Sequence, residues 1–206
     1  MIFEHQDYEI ELKQIKTTRL SVRRKSAHRF IVHGPKTMSA RALKQMITHD
    51  FAALLKLPVP FDYHAYLNRS QGHVFGSWQA WESVDVKALL MQEINRLHAI
   101  YEKKQSAIDL SGVTYSVKPY QSKFGSCHPK RKIIRFNQML VHYPKPFIEA
   151  IYAHEITHLN EPNHQASFYQ LLTTIYPEYR ADQAALKSVH RSFLKGNYDF
   201  TSITYP

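Results

Sequence analysis

An α+β fold is predicted from the sequence on three observations. Apolar and polar residues alternate from the start of the chain to about Pro35, the period of strands. Two long helical stripes follow, separated by an aperiodic stretch, and further helices close the chain. No regular strand–helix–strand alternation of the kind that builds a parallel α/β sheet is present. The chain has 206 residues, 44% of them hydrophobic, enough for one core with at most a small appended module.

The elements are read in order. "YEIELKQ" and "RLSVRR" place Ile10, Leu12, Leu20 and Val22 at period two, and "HRFIVHGP" adds a third strand that stops at the Gly34-Pro35 turn signal. "SARALKQMITHDFAALLKL" puts Leu43, Met46, Ile47, Phe51, Leu54 and Leu55 on one helical stripe, with Ser39 placed to cap it. Pro58 to Trp78 lacks period and carries Pro and Gly, so it reads as a loop or module boundary. Ser83 is placed to cap a second helix with Val86, Leu90, Ile94, Leu97 and Tyr101 in register. "GVTYSVK" and "KIIRFN" read as strands, and Pro144 and Pro146 begin the next helix, since proline suits a first helical turn. "HQASFYQLLTTIY" and "RADQAALKSVHRSFL" are the last two helices. The expected division is a β-rich module with one helix over residues 1–75, packed on or beside a metal-binding domain over 76–206.

The chemistry is concentrated in "AHEITHLNEPNH", Ala153 to His164. His154 and His158 are four apart, so a helix stacks them one turn apart on one face. Two imidazoles so placed can hold a zinc ion, with Glu155 beside them to take a proton from a water on the metal. His164 follows Pro162, where the helix must end, and is offered as the third ligand, leaving one position open for water. In a chain with 13 histidines, random order gives this three-histidine pattern in only about 1 of 400 sequences, so coincidence is set aside. Zinc is the default ion for three imidazoles with an open position, although other divalent ions suit such sites. The histidine spacing also matches metzincin proteases, but Glu161 stands where they have Gly and no Met follows Met139.

Upstream lies "KFGSCHPKRKIIRFNQMLVHYP". Taken with the helix, this arrangement resembles the YgjP-like family of zinc metallohydrolases, relatives of the SprT-like proteases. The family pattern of Trp-Gly-Ser-Cys, a strand ending in Asn, a Leu, a Pro, the His-Glu-x-x-His helix and a final Asn-His appears here as Phe124-Gly125-Ser126-Cys127, Asn137, Leu140, Pro144, His154, Glu155, His158 and Asn163-His164. The match is strong over roughly residues 112–186; Phe124 stands in for the usual Trp and Ile156 for a Leu. The resemblance implies a zincin-like helical core with a small sheet, one zinc ion and a hydrolase acting through a metal-bound water and Glu155. A metallopeptidase is the first reading. The alternatives are a nucleoside triphosphate pyrophosphohydrolase and a SprT-like protease module associated with DNA.

Gly125, Ser126, Arg135 and Asn137 are the candidate substrate-binding residues, with "KIIRFN" expected as a strand whose open edge faces the cleft and pairs with an extended substrate. Arg135, Asn137, His142 and Tyr169 are chemically able to stabilise an oxyanion. Cys127 as a fourth ligand would close the site, and as a nucleophile it lacks a visible activating neighbour. The formal charge of +10 favours an anionic partner, so nucleic acid or nucleotide stands beside peptide or protein as a partner, and the Lys/Arg-rich segment Lys16–Arg29 is the candidate surface. A single cysteine permits no intramolecular disulfide and suits a reducing compartment. The opening segment "MIFEHQDYEIELKQ" does not read as a signal peptide, and no run is long and apolar enough for a membrane span, so a cytoplasmic protein with no membrane partner is expected.

Overall fold

The computed structural model describes residues 1–57, 59, 66, 71–80, 85–104, 107–120 and 123–194. The architecture is α+β, and the chain divides into two compact units, Met1–His64 and Ala65–Pro206.

In the first unit, β1 (Ile2–His5), β2 (Tyr8–Ile15), β3 (Ser21–Ser26) and β4 (Arg29–Pro35) form a sheet of order β1-β2-β4-β3. β2 and β4 run parallel, with Ile10 opposite Phe30 and Leu12 opposite Val32. The period-two pattern puts these four side chains on one face, where they pack with Leu43, Ile47, Phe51 and Leu54 as the core. The expected single helix is two: α1 (Ala40–His49) and α2 (Phe51–Leu55) meet at Asp50, which caps the first. Ser39 caps α1, its hydroxyl accepting from the Ala42 N–H at 3.2 Å. Leu20 lies outside its expected strand and is exposed, as is Leu55. β1 was not legible, because its four residues are too few to show a period.

Within the basic segment the cations are not equivalent. The Arg24 guanidinium donates to the carbonyls of Ala27, Leu55 and Leu57 and lies over the Phe30 ring. Arg29 pairs with Glu9 at 2.8 Å and with Glu11 at 3.3 Å. Both hold the unit together.

In the second unit, the stretch expected to be aperiodic contains a hairpin, β5 (Gln71–Val74) and β6 (Ser77–Ala80). Its two-residue turn has positive φ at both Phe75 (50°) and Gly76 (84°), the geometry that matches strand twist. The remainder of the expected loop, residues 58 and 60–65 and 67–70, lies outside the described residues. Helix α3 (Val86–Lys103) is capped by Asp85, whose carboxylate accepts from the Lys87 and Ala88 N–H groups, both at 3.0 Å. Ser83, the expected cap, lies outside the described residues. Leu90, Ile94, Leu97 and Tyr101 are the buried stripe, as read.

The second sheet is β7 (Thr114–Lys118), β8 (Gly125–His128) and β9 (Ile133–Asn137), in the order β7-β9-β8. β9 is central, parallel to β7 and antiparallel to β8. Helix α4 (Lys145–Thr157) starts at Pro144 and is buried along most of its length, with Tyr152 stacked on Phe136 of β9. Helices α5 (Ala166–Ile175) and α6 (Tyr179–Leu194) follow. No helix of the described residues is long and apolar enough to cross a membrane.

Candidate metal centre

Helix α4 delivers His154 in its last turn, and His158 is its C-cap, still in helical conformation. The N–H groups of Asn160 and Glu161 both return to the Thr157 carbonyl, so the chain turns sharply after the helix. Pro162 prevents the helix from resuming, and His164 stands just ahead of α5. These local causes bring the three rings together: their centroids are 4.9 Å (His154–His158), 4.9 Å (His154–His164) and 4.7 Å (His158–His164) apart. One ring nitrogen from each lies within 4.8 Å of the others.

The outward nitrogens of His154 and His158 are already engaged. His158 Nδ1 faces the Glu161 carbonyl at 3.0 Å. A carbonyl only accepts, so Nδ1 carries the hydrogen and Nε2 keeps its lone pair. His154 Nδ1 lies 2.9 Å from the Tyr179 hydroxyl, which also accepts from the Gln183 amide. The Nε2 atoms of His154 and His164 are 3.0 Å apart. Two nitrogens bound tetrahedrally to one zinc ion stand about 3.3 Å apart, so the donor set fits a zinc-sized ion with small adjustment. Burial and the neighbouring rings push the His154 pKa down to about 3, and burial lowers that of His158. Neutral imidazoles are the metal-binding form.

Sequence reasoning missed the floor of this site. Phe168 of α5 is fully buried, with its ring 5.0, 4.7 and 4.7 Å from those of His154, His158 and His164. Tyr179 was missed as well. Both sit on helices recognised by their period, but a period does not say which apolar side chain touches a ligand.

Glu155 points from the same turn toward β8. It is 6% exposed, and its Oε2 has no hydrogen-bond partner among the described residues. Burial raises its pKa to about 8, against a smaller opposing effect from Lys123. Gly125 makes room for it: a Cβ on Gly125 would stand 2.5 Å from Glu155 Oε1 and 2.8 Å from Cδ. Gly125 thus allows the close approach of the Glu155 carboxylate. An open pocket of about 330 Å³ is lined by Gly125, Ser126, Cys127, Pro129, His154, Glu155, His158, Pro162 and His164. Burial and the Glu155 charge push the Cys127 thiol up to about 12, far from the thiolate form.

The expected open edge at "KIIRFN" is corrected. β9 is paired on both sides, and the edge beside the metal helix is β8, "GSCH". Ile134 and Phe136 share one face of the sheet and are fully buried there, which suits a central strand. Ser126 lines the pocket, whereas Arg135 and Asn137 do not. Asn137 is buried, and its amide donates to the carbonyls of Tyr120 (2.8 Å) and Lys123 (2.9 Å) while its oxygen accepts from the Met139 N–H at 3.1 Å. It clamps the segment leading into β8. His142 is also buried away from the pocket, with Nδ1 2.7 Å from the His73 carbonyl. Tyr169 packs near His164, with ring centroids 6.4 Å apart. The Phe124 ring, where the family pattern has Trp, packs on His190 at 4.7 Å.

The model of the YgjP-like family, described as a metallopeptidase domain, matches residues 69–189. A solved structure, the metallopeptidase zymogen of Methanocaldococcus jannaschii jannalysin, is similar at 20% identity and a TM-score of 0.38, covering 50% of this chain and 95% of that one. Among curated proteins, none matches the sequence significantly.

Proposed function

The chain belongs to the YgjP-like family of metal-dependent peptidases, and from that premise we propose that it is a zinc peptidase in which His154, His158 and His164 hold the ion and Glu155 is the general base. The observation that carries this reading is Glu155 Oε2, a buried carboxylate oxygen without a partner among the described residues, in the same pocket as three converging imidazoles. A zinc ion held there would supply Lewis acidity, polarising a carbonyl and lowering the pKa of water.

The residues of the chain account for the rest. Glu155 accepts the proton of the attacking water at Oε2. Glu155 can then pass that proton to the departing amine. Gly125 keeps the carboxylate unobstructed. The Tyr179 hydroxyl and the Glu161 carbonyl fix the rings of His154 and His158 with Nε2 toward the pocket. Among the described residues β8 is an edge strand, and along its outer side an extended peptide can add as a further strand.

The test is a substrate panel on zinc-loaded protein, with unstructured peptides and nucleoside triphosphates assayed in parallel. New peptide N-termini are expected. Glu155→Gln should retain zinc and lose roughly 10²–10⁴-fold in turnover. Triphosphate hydrolysis without peptide cleavage would contradict the reading.

A further inference from the structure

We propose that the β8 edge selects acidic peptide segments, through cations held at both of its ends; this rests on the peptidase reading above. At the entry to the strand, Lys123 Nζ lies 4.5 Å from the centroid of the Tyr120 ring. The Tyr120 hydroxyl is 3.2 Å from Ser126 Oγ, and Ser126 lines the pocket. Asn137 grips the carbonyls of both Tyr120 and Lys123. Lys123 is therefore a positioned cation, set by an aromatic face and a clamped backbone.

At the exit of the strand, the 3-10 turn Pro129–Arg131 follows directly, with Pro129 in the pocket lining and Lys130 and Arg131 exposed. The next residue, Lys132, is different: it pairs with Asp109 at 2.8 Å. No carboxylate among the described residues pairs with Lys123, Lys130 or Arg131. Elsewhere in the chain Lys13, Arg29, Arg96 and Lys145 are paired. The four residues of β8 span about 13 Å, so the two cationic ends bracket roughly four to six residues of an added strand. A segment with Asp or Glu near both ends would meet a positive charge at each, while its middle crosses the pocket.

Lysines also occur beside edge strands simply to discourage pairing. That role would disfavour every added strand alike and would not discriminate by charge, so the two are separable. Glu155→Gln protein, full length and zinc-loaded, is titrated by fluorescence anisotropy with two extended peptides of one backbone, one flanked by Glu and the other by Gln. The acidic peptide is expected to bind at least about tenfold tighter at low salt, with the gap closing as salt is raised. A Lys123→Glu/Lys130→Glu/Arg131→Glu variant, checked for an unchanged melting temperature, should reverse the preference toward a Lys-flanked peptide. Equal binding of the two peptides, or an unreversed preference, overturns the proposal and leaves the peptidase reading standing. Failure of both peptides to bind overturns the two together.

Discussion

Two glutamates of the second unit are buried almost equally, and their surroundings are opposite. Glu93 of α3 is 4% exposed and Glu155 of α4 is 6% exposed. Glu93 accepts from Arg96 at 2.5 and 2.9 Å and pairs with Lys145 at 3.0 Å, at the start of α4. Burial alone would raise its pKa, but those two cations outweigh it and the pKa is lowered. Glu155 has no such partner among the described residues, and burial raises its pKa to about 8. A buried charge is tolerated when compensated, as around Glu93. Around Glu155 the compensation is withheld, and a carboxylate so placed keeps an oxygen free for a proton. One glutamate ties two helices together, and the other is kept ready for chemistry.

Short of replacing Glu155 itself, the largest expected effect on rate comes from crowding the second region without touching its charge. Gly125→Ala puts a methyl group where the Glu155 carboxyl stands, and displacing a base by even about 1 Å can cost on the order of 10²-fold in rate. Peptidase activity should fall by about that factor, while zinc content, measured by mass spectrometry, stays at one ion per chain. Undiminished activity would mean that the Glu155 position is not critical.

A pH series separates the two glutamates by sign. For Glu155 the unfolded carboxyl ionises near 4.5, whereas the folded one holds its proton to about 8. Folding therefore takes up a proton between those values, and the stability of metal-stripped protein falls as pH rises through that window. Glu155→Gln removes the penalty. Its unfolding free energy should match that of the unsubstituted chain near pH 4.5 and exceed it above pH 8, by on the order of 5 kcal/mol. Glu93 behaves oppositely: its lowered pKa adds stability above the unfolded value of 4.5, and that stability is lost as pH falls further. A constant gap for Glu155→Gln across pH would break the comparison.

The smallest expected effect is that of Glu93→Gln. Arg96 and Lys145 are about half exposed and can turn to water, so the loss should be about 1–2 kcal/mol in denaturant titrations. The kcat of the zinc-loaded variant should be unchanged.

What was legible in the sequence follows the range of the causes involved. His154, His158 and Glu155 could be placed because helical spacing is local and fixed, and Pro162 marked where the chain turns toward His164. The core stripes Ile10–Leu12 and Leu90–Tyr101 were legible for the same reason. The order of the second sheet was not, because β9 finds its parallel partner in β7 and its antiparallel one in β8, and no local pattern in "KIIRFN" encodes which side stays open. β8 itself, "GSCH", has neither length nor alternation to reveal a strand. The hairpin at 71–80 was hidden by a Phe75-Gly76 turn in place of the familiar Asn-Gly. Asn137 looked like a site residue because it is polar and close in sequence; its work is to hold the Tyr120 and Lys123 carbonyls.

The central claim is that three imidazoles hold one ion while Glu155 stays off it. X-ray absorption spectroscopy of the zinc-loaded protein reads the ligand set directly. The account predicts one zinc per chain with three imidazole nitrogens at about 2.0–2.1 Å, a further oxygen, no sulfur, and an unchanged imidazole signature in Glu155→Gln. Fewer than three imidazoles, a sulfur at about 2.3 Å from Cys127, or loss of a ligand in Glu155→Gln would contradict it.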